Sequence, residues 1–218
     1  MFAYDWLHWS TFFVATFVLN VAPGPDVGYI FAQTLKNGRE GGIAAMLGIW
    51  TGALGHVFMA AVGLSAVIAA SATLFTGIKW LGAAYLIWIG VDAFLSASHA
   101  GDEVSEVEAN ILAQSRSSRA AIFKQGALIA LLNPKTAIFF LAFLPQFVVE
   151  GAGTNSEQLF LHGILVIVVA AMVDPWVVFL GGKLQAVLHS NTGFSLWSNK
   201  FLGGVFVTLG LRLAFLER

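Results

Sequence analysis

Residues 41 to 78 read GGIAAMLGIWTGALGHVFMAAVGLSAVIAASATLFTGI, without one Asp, Glu, Lys or Arg. About 20 apolar residues in a helix cross a bilayer core, so this run is too long for one span and feeds two. The small polar stretch Ala69-Ala70-Ser71-Ala72-Thr73 divides it. Outward from there, uncharged runs place a long, interrupted first span near 7 to 34, a second near 41 to 68 and a third at 78 to 96. A fourth follows at 119 to 147, a fifth at 157 to 181 and a sixth at 198 to 216. The predicted fold is an all-α integral membrane protein with six transmembrane helices, because lipid offers no partner to an open backbone.

Composition agrees. The 218 residues are 58% hydrophobic and 11% charged, with a mean hydropathy of +0.81, against roughly 45 to 50% apolar and about 25% charged in soluble domains. Eleven Lys and Arg balance twelve Asp and Glu, so no basic excess grips phosphate and nucleic acid is not an expected partner. The absence of cysteine excludes thiol catalysis, thiolate metal sites and disulfide relay. The N-terminal run has no basic residue before it and no small-residue cleavage site, so it reads as the first span rather than a signal peptide.

Basic residues set the expected orientation. Lys36, Arg39, Arg116, Arg119, Lys124, Lys183 and Lys200 fall in the odd loops, whereas only Lys79, Arg212 and Arg218 fall on the other side. The positive-inside rule then places the odd loops in the cytoplasm and both termini outside. The polar residues from Ser96 to Ser118 form the longest cytoplasmic loop, and its acidic cluster (Asp102, Glu103, Glu106, Glu108) reads as a solvated face. Three spans lie on each side of that loop. Residues 1–96 and 119–218 therefore form two three-helix repeats separated by 97–118, and an odd number of spans per repeat inverts the second relative to the first.

Local similarity supports the repeat. Pro25-Asp26-Val27-Gly28-Tyr29-Ile30-Phe31 aligns with Pro134-Lys135-Thr136-Ala137-Ile138-Phe139-Phe140, each set following an Asn, at 20 and 133. Lys79-Trp80-Leu81-Gly82 likewise aligns with Lys200-Phe201-Leu202-Gly203 in the third spans. Both proline sites fall near mid-span, where an interior proline costs about 3 kcal/mol or more. The first helix of each repeat is thus expected to break at Pro: Asn133 and Pro134 as cap and first residue of a new half-helix, Pro25 and Asp26 similarly after Pro23 and Gly24. Half-helix starts at bilayer depth carry partial positive charge and suit a carboxylate. A pair of tolerated kinks is the alternative reading.

Asp26, Lys135 and Asp174 lie inside spans, where each charge costs about 2.5 to 3.5 kcal/mol at the centre. Asp26 and Lys135, equivalent across the repeats, could form a structural ion pair, or could receive the ammonium and carboxylate of a substrate, with a proton competing for Asp26. Asp174, before Pro175, is a second candidate for a proton or ammonium, or a helix-break residue. His56 shares a helical stripe with Gly48 and Gly52; the stripe is expected to let neighbouring helices approach, leaves a face for a homodimer, and puts His56 forward as a proton relay. His8, His99, His162 and His189 are scattered, so no metal is expected, and no cofactor. Asp92 and Arg212 near span ends, and Trp6, Trp9, Trp80 and Trp197 flanking spans, read as interfacial anchors.

Four stretches resemble a known family: Leu19 to Asp26, Gly41-Gly42-Ile43 to Gly48, Leu81-Gly82-Ala83-Ala84-Tyr85 to Gly90, and Asn133-Pro134-Lys135-Thr136-Ala137 through Leu144-Pro145-Gln146-Phe147. In this order and spacing the chain resembles the lysine-exporter superfamily, in its homoserine/threonine-efflux branch. The resemblance implies a bacterial inner-membrane permease that exports small amino acids or close derivatives, driven by protons. The two broken helices and the buried charges put Asn20, Pro23, Gly24, Pro25, Asp26, Asn133, Pro134, Lys135 and Asp174 around the expected site. Two other classes stay open. An intramembrane enzyme would need a nucleophile–base pair, metal cluster or phosphate loop, none of which the sequence offers; a non-transporting scaffold, or a carrier of another solute, would fit the same spans.

Overall fold

The computed structural model describes residues 4–95, 111 and 117–190, with scattered positions between 200 and 214. Among them all regular structure is helical. Helix α1 (Trp6–Val21) starts where the Asp5 carboxylate accepts from the backbone N–H of His8 at 2.7 Å, satisfying one open donor of the first turn. It stops because Pro23 cannot donate to the Leu19 carbonyl and disfavours a helical backbone at Ala22. Ala22 is extended, at φ −60° and ψ 127°. Helix α2 (Pro25–Met59) then begins with Pro25 at its first position, where the missing N–H would have had no partner in any case.

A straight helix of that length would run about 50 Å, well beyond a bilayer core of roughly 30 Å. It does not run straight. Gly38 has φ 70° and ψ −169°, a backbone that only glycine takes without strain, and a Cβ on Gly42 would fall 2.2 Å from Thr34 Oγ1. Residues eight apart in a continuous helix are about 12 Å apart, so the chain folds back at Gly38 and the arms 25–37 and 39–59 lie side by side.

Beyond α2, a π-helical turn (Ala60–Leu64) leads into α3 (Ser65–Ala70), and extended Ser71 separates it from α4 (Ala72–Leu95). The expected division of the long uncharged run falls at that serine. Helix α5 (Arg119–Leu132), whose first turn donates from Ala121 N to Ser118 Oγ at 3.3 Å, ends at Asn133. Helix α6 (Pro134–Ile138) starts immediately and continues through a π turn (Phe139–Phe143) and a 3-10 turn (Leu144–Phe147), bent by 49° from α5. Helix α7 (Asn155–Ser190) contains Pro175.

By length and apolar character, Pro25–Val67 and Asn155–Gly181 can cross a membrane, Arg119–Leu132 with Pro134–Phe147 is a bent pair that fits a broken crossing or a re-entrant loop, and Trp6–Val21 is a shorter apolar helix. Their outward faces carry Val62 (69% exposed), Leu132 and Trp176, a surface suited to lipid rather than water. Most of the expected sixth span, most of the central loop, and the side chains of Lys79, Asp92, Lys183 and Arg212 lie outside the described residues.

Two buried clusters hold the helices. One joins α1, the 134–147 segment and α7 through Phe12, Phe139, Phe143, Leu144 and Leu159; the other joins α2, α5 and α7 through Tyr29, Ile49, Ile122 and Val178. Glycines set the closest approach. A Cβ at Gly48 would sit 2.2 Å from Phe123 O and one at Gly52 2.3 Å from Ala127 O, while one on Gly126 of α5 would meet Ala45 O at 2.8 Å. The expected close helix contact at Gly48 and Gly52 is therefore made within one chain. The same face, expected to leave room for a homodimer, is covered by α5 and is not open to a second copy.

Candidate functional site

Each proline break frees a backbone carbonyl one turn before it, and the structure supplies each with a side-chain donor. Pro23 leaves Leu19 O without its helical partner; the Lys135 ammonium reaches Leu19 O at 3.4 Å and Ala22 O at 3.0 Å. A cation at a helix C-terminus is well placed, since the last carbonyls carry partial negative charge. Gly24 makes room for it, because a Cβ there would lie 3.0 Å from Lys135 Nζ. Pro134 frees Ala130 O in the same way, and His56 Nε2 meets that carbonyl at 3.1 Å while Asn133 N donates to it at 3.2 Å. A carbonyl can only accept, so His56 Nε2 carries its proton here.

The starts of the two half-helices are joined by Asp26. Asn133 caps α6, its Oδ1 accepting from Lys135 N at 2.9 Å, and with its other end donates from Nδ2 to Asp26 Oδ2 at 2.7 Å. Thr136 Oγ1 lies 3.3 Å from the same carboxylate oxygen. The second oxygen, Asp26 Oδ1, is buried and accepts no hydrogen bond from the described residues. Burying a carboxylate oxygen without a donor is costly, and this one sits at a cavity wall.

That cavity, about 40 Å³, is lined by Leu19, Asn20, Asp26, Val27, Ile49, Trp50, Ala53, Ala130, Lys135, Thr136, Phe140, Val166, Ile167, Ala170 and Asp174. At about 10 to 15 Å³ per water, it is a narrow, partly polar chamber between α1, α2, α5, α6 and α7. Asp174, 4% exposed, accepts from Trp50 Nε1 at 2.7 Å. Three charged side chains from three helices thus face one space whose other walls are mostly apolar, with Asn20, Trp50 and Thr136 the polar exceptions, an arrangement able to hold a small molecule bearing both signs of charge.

Of the residues singled out from sequence, Asn20, Asp26, Lys135 and Asp174 line the cavity. Asn20 faces it while its Nδ2 donates to Thr16 O at 2.8 Å. Pro23, Gly24, Pro25, Asn133 and Pro134 build the two junctions that hold those side chains. His56 stands apart: it is buried against Phe140, ring centroids 5.7 Å apart, and is not among the lining residues. In the structure it completes the α5 break rather than reaching the cavity. Sequence reasoning missed Trp50 and Thr136. Trp50 carried a signal, since tryptophan at mid-span departs from its usual place at the membrane interface. Also missed is a contact between His8 and His162, whose Nε2 atoms are 2.9 Å apart.

With this geometry in place, comparison with known proteins adds the following. A family model for LysE type translocators matches residues 17–217. A homoserine/homoserine lactone efflux protein of Salmonella typhimurium is 28% identical over 211 residues, covering 97% of each chain. A leucine efflux protein of Klebsiella pneumoniae is 25% identical over 211 residues, covering 97% of this chain and 96% of its own. A membrane protein of Bacillus subtilis with no assigned activity is 35% identical over 189 residues, 81% of this chain and 88% of its own. No solved structure matches the chain significantly. Two of these relatives carry efflux names and the third is named as a membrane protein. With apolar helices broken around a charged cavity and a family match over nearly its whole length, this chain is a member of the LysE type translocator family.

Proposed function

We propose that the chain is a secondary exporter of small amino acids across the bacterial inner membrane, taking neutral amino acids of the homoserine, threonine or leucine kind or their close derivatives, and exchanging them for protons. Six spans form two inverted repeats, 1–96 and 119–218, joined by the cytoplasmic loop 97–118, with both termini outside and lipid around the outer faces. The first span of each repeat is the one broken at Pro, which brings Asp26 and Lys135 to one depth. The relatives' names motivate the substrate class.

The observation that carries this reading is the buried, unpartnered Asp26 Oδ1 beside the Lys135 ammonium in one cavity. An α-ammonium group supplies the donor that Oδ1 lacks, and the substrate carboxylate draws Lys135 away from Leu19 O and Ala22 O. Binding therefore loosens the cap on α1 at the break, which ties occupancy to movement of α1 against α6, as alternating access around broken helices requires. The cavity is too narrow to admit a substrate without that movement. Asp174, held by Trp50, is the second anionic group and takes the proton or shares the ammonium.

Uptake of a panel of labelled amino acids, including threonine, homoserine and leucine, into proteoliposomes of the purified protein tests this reading, with and without an imposed pH gradient. Saturable accumulation that follows the gradient is the expected result. Movement without dependence on the gradient removes proton coupling, and no movement of any of them in vesicles holding folded protein removes the amino-acid reading.

A further inference from the structure

At the end of α1 away from the cavity, His8 and His162 meet with Nε2 atoms 2.9 Å apart. His162 is 1% exposed, and its Nδ1 lies 2.8 Å from the carbonyl of Gln158. That carbonyl can only accept, so Nδ1 of His162 carries the proton and Nε2 is left as an acceptor. His8 must then donate its Nε2–H to His162 and keep a lone pair on Nδ1. Around the pair, Trp9 and Phe147 lie nearly parallel to the His162 ring at 5.4 and 5.9 Å, and Phe12 meets it edge-on. Tyr4, with its ring 4.5 Å from His8, donates to Gln158 Oε1 at 2.9 Å.

We propose that His8 and His162 form a proton-binding clasp between the starts of α1 and α7, independent of the substrate cavity. The neutral pair is closed by one N–H···N bond. A first proton from water lands on His8 Nδ1, leaves that bond in place and strengthens it, since the donor ring becomes charged. A second can land only on His162 Nε2, the acceptor itself; it removes the bond and sets two cations against each other. Among the described residues, the titratable groups facing the pair from α1 and the residues before it are Asp5, whose carboxylate caps the backbone N–H of His8, and Tyr4. From α7 the neighbouring side chain is the neutral Gln158, Glu157 being turned to the backbone N–H of Thr154 at 2.9 Å; the 3-10 turn presents only Phe147. The Asp5 carboxylate favours charge on the His8 ring alone, and no described carboxylate does the same for His162.

The place of the clasp gives it a consequence. Helices α1 and α7 both run from it toward the cavity, which their residues Leu19, Asn20, Val166, Ile167, Ala170 and Asp174 help to line. From His8 to Asn20 is twelve residues, roughly 18 Å at about 1.5 Å each. Releasing the clasp parts the two helices at the mouth of the seam between them.

Because the chain has no cysteine, the test is clean. Spin labels on Leu7→Cys and Leu161→Cys, both outward-facing, report the α1–α7 separation by pulsed electron resonance in nanodiscs. Measurements run from about pH 8 to about pH 3, well below the ordinary imidazole value of about 6.5, because burial makes both rings resist charge. The clasp predicts one narrow distance at the upper end that moves to longer values at the lower end, and no movement in His162→Gln, which accepts from His8 but cannot take the second proton. His162→Asn serves in its place where the glutamine variant does not fold. A wild-type distance unchanged across the range overturns the proposal, as does a neutral variant that opens together with the wild type.

Discussion

Asn133 performs two jobs with two ends of one amide, and a substitution series separates them. Its Oδ1 accepts from Lys135 N at 2.9 Å, and its Nδ2 donates to Asp26 Oδ2 at 2.7 Å. Serine keeps a capping oxygen and loses the donor to Asp26; alanine loses both. A hydrogen bond to a charged group contributes about 1.5 to 3 kcal/mol and a cap about 0.5 to 2 kcal/mol. Asn133→Ser is therefore expected to destabilise by the first amount and Asn133→Ala by about 2 to 5 kcal/mol in all. At roughly 2 to 4 °C per kcal/mol for a chain of this size, the alanine variant melts about 4 to 20 °C below the wild type, with serine between. Fluorescence-monitored melting of the purified variants in detergent, read beside substrate counterflow, gives both numbers. Asn133→Asp adds a distinct arm: it keeps the cap but sets a second carboxylate against Asp26, so it melts no higher than serine and binds substrate more weakly. Equal melting of serine and wild type would refute the donor role, and equal melting of serine and alanine would refute the cap.

Other variants address other joints. Gly48→Ala places a methyl 2.2 Å from the Phe123 carbonyl oxygen, so α2 and α5 must separate, at about 1 to 3 kcal/mol; a melting point equal to that of the wild type would show the helices more yielding than their packing implies. Gly38→Ala meets no steric obstacle, since nothing lies within 4 Å of a Cβ there, yet φ 70° costs an L side chain about 1 to 2 kcal/mol. A loss in melting temperature without loss of cavity function is the expected pattern. Trp50→Phe removes the donor to Asp174 Oδ2; with about 1.5 kcal/mol or more at stake, apparent KM for transport rises about tenfold or more, while a change confined to melting would make Trp50 a packing residue only.

The sequence carried the junctions well because proline and asparagine act locally. The end of α1 before Pro23 and the start of α6 at Pro134 follow from a missing N–H and a capping amide, both readable in a few residues. The Gly48/Gly52 stripe was legible as a contact for the same reason, although the pattern does not say which helix fills it; α5 of the same chain does, and the homodimer face goes with it. Asp26, Lys135 and Asp174 were legible as costly charges, and they meet in one cavity. What they bond to was not legible. That Lys135 caps α1 and Asn133 holds Asp26 depends on how separate helices cross, as does His56 reaching Ala130 O. The His8–His162 contact joins residues 154 apart, and no local pattern in either helix encodes it.

The claim at the centre is that Asp26 Oδ1 receives the ammonium group of an amino acid. Asp26→Asn keeps an oxygen to accept from Asn133 and Thr136 and removes the charge, so the junction is preserved while the site loses its attraction for a cation. Counterflow of whichever labelled amino acid the wild type moves, measured in proteoliposomes holding equal amounts of folded wild type and variant, tests it directly. The account predicts saturable counterflow in the wild type and a rise in apparent KM of about a hundredfold in Asp26→Asn, the equivalent of about 2.7 kcal/mol. Counterflow by Asp26→Asn with the wild-type KM would contradict it.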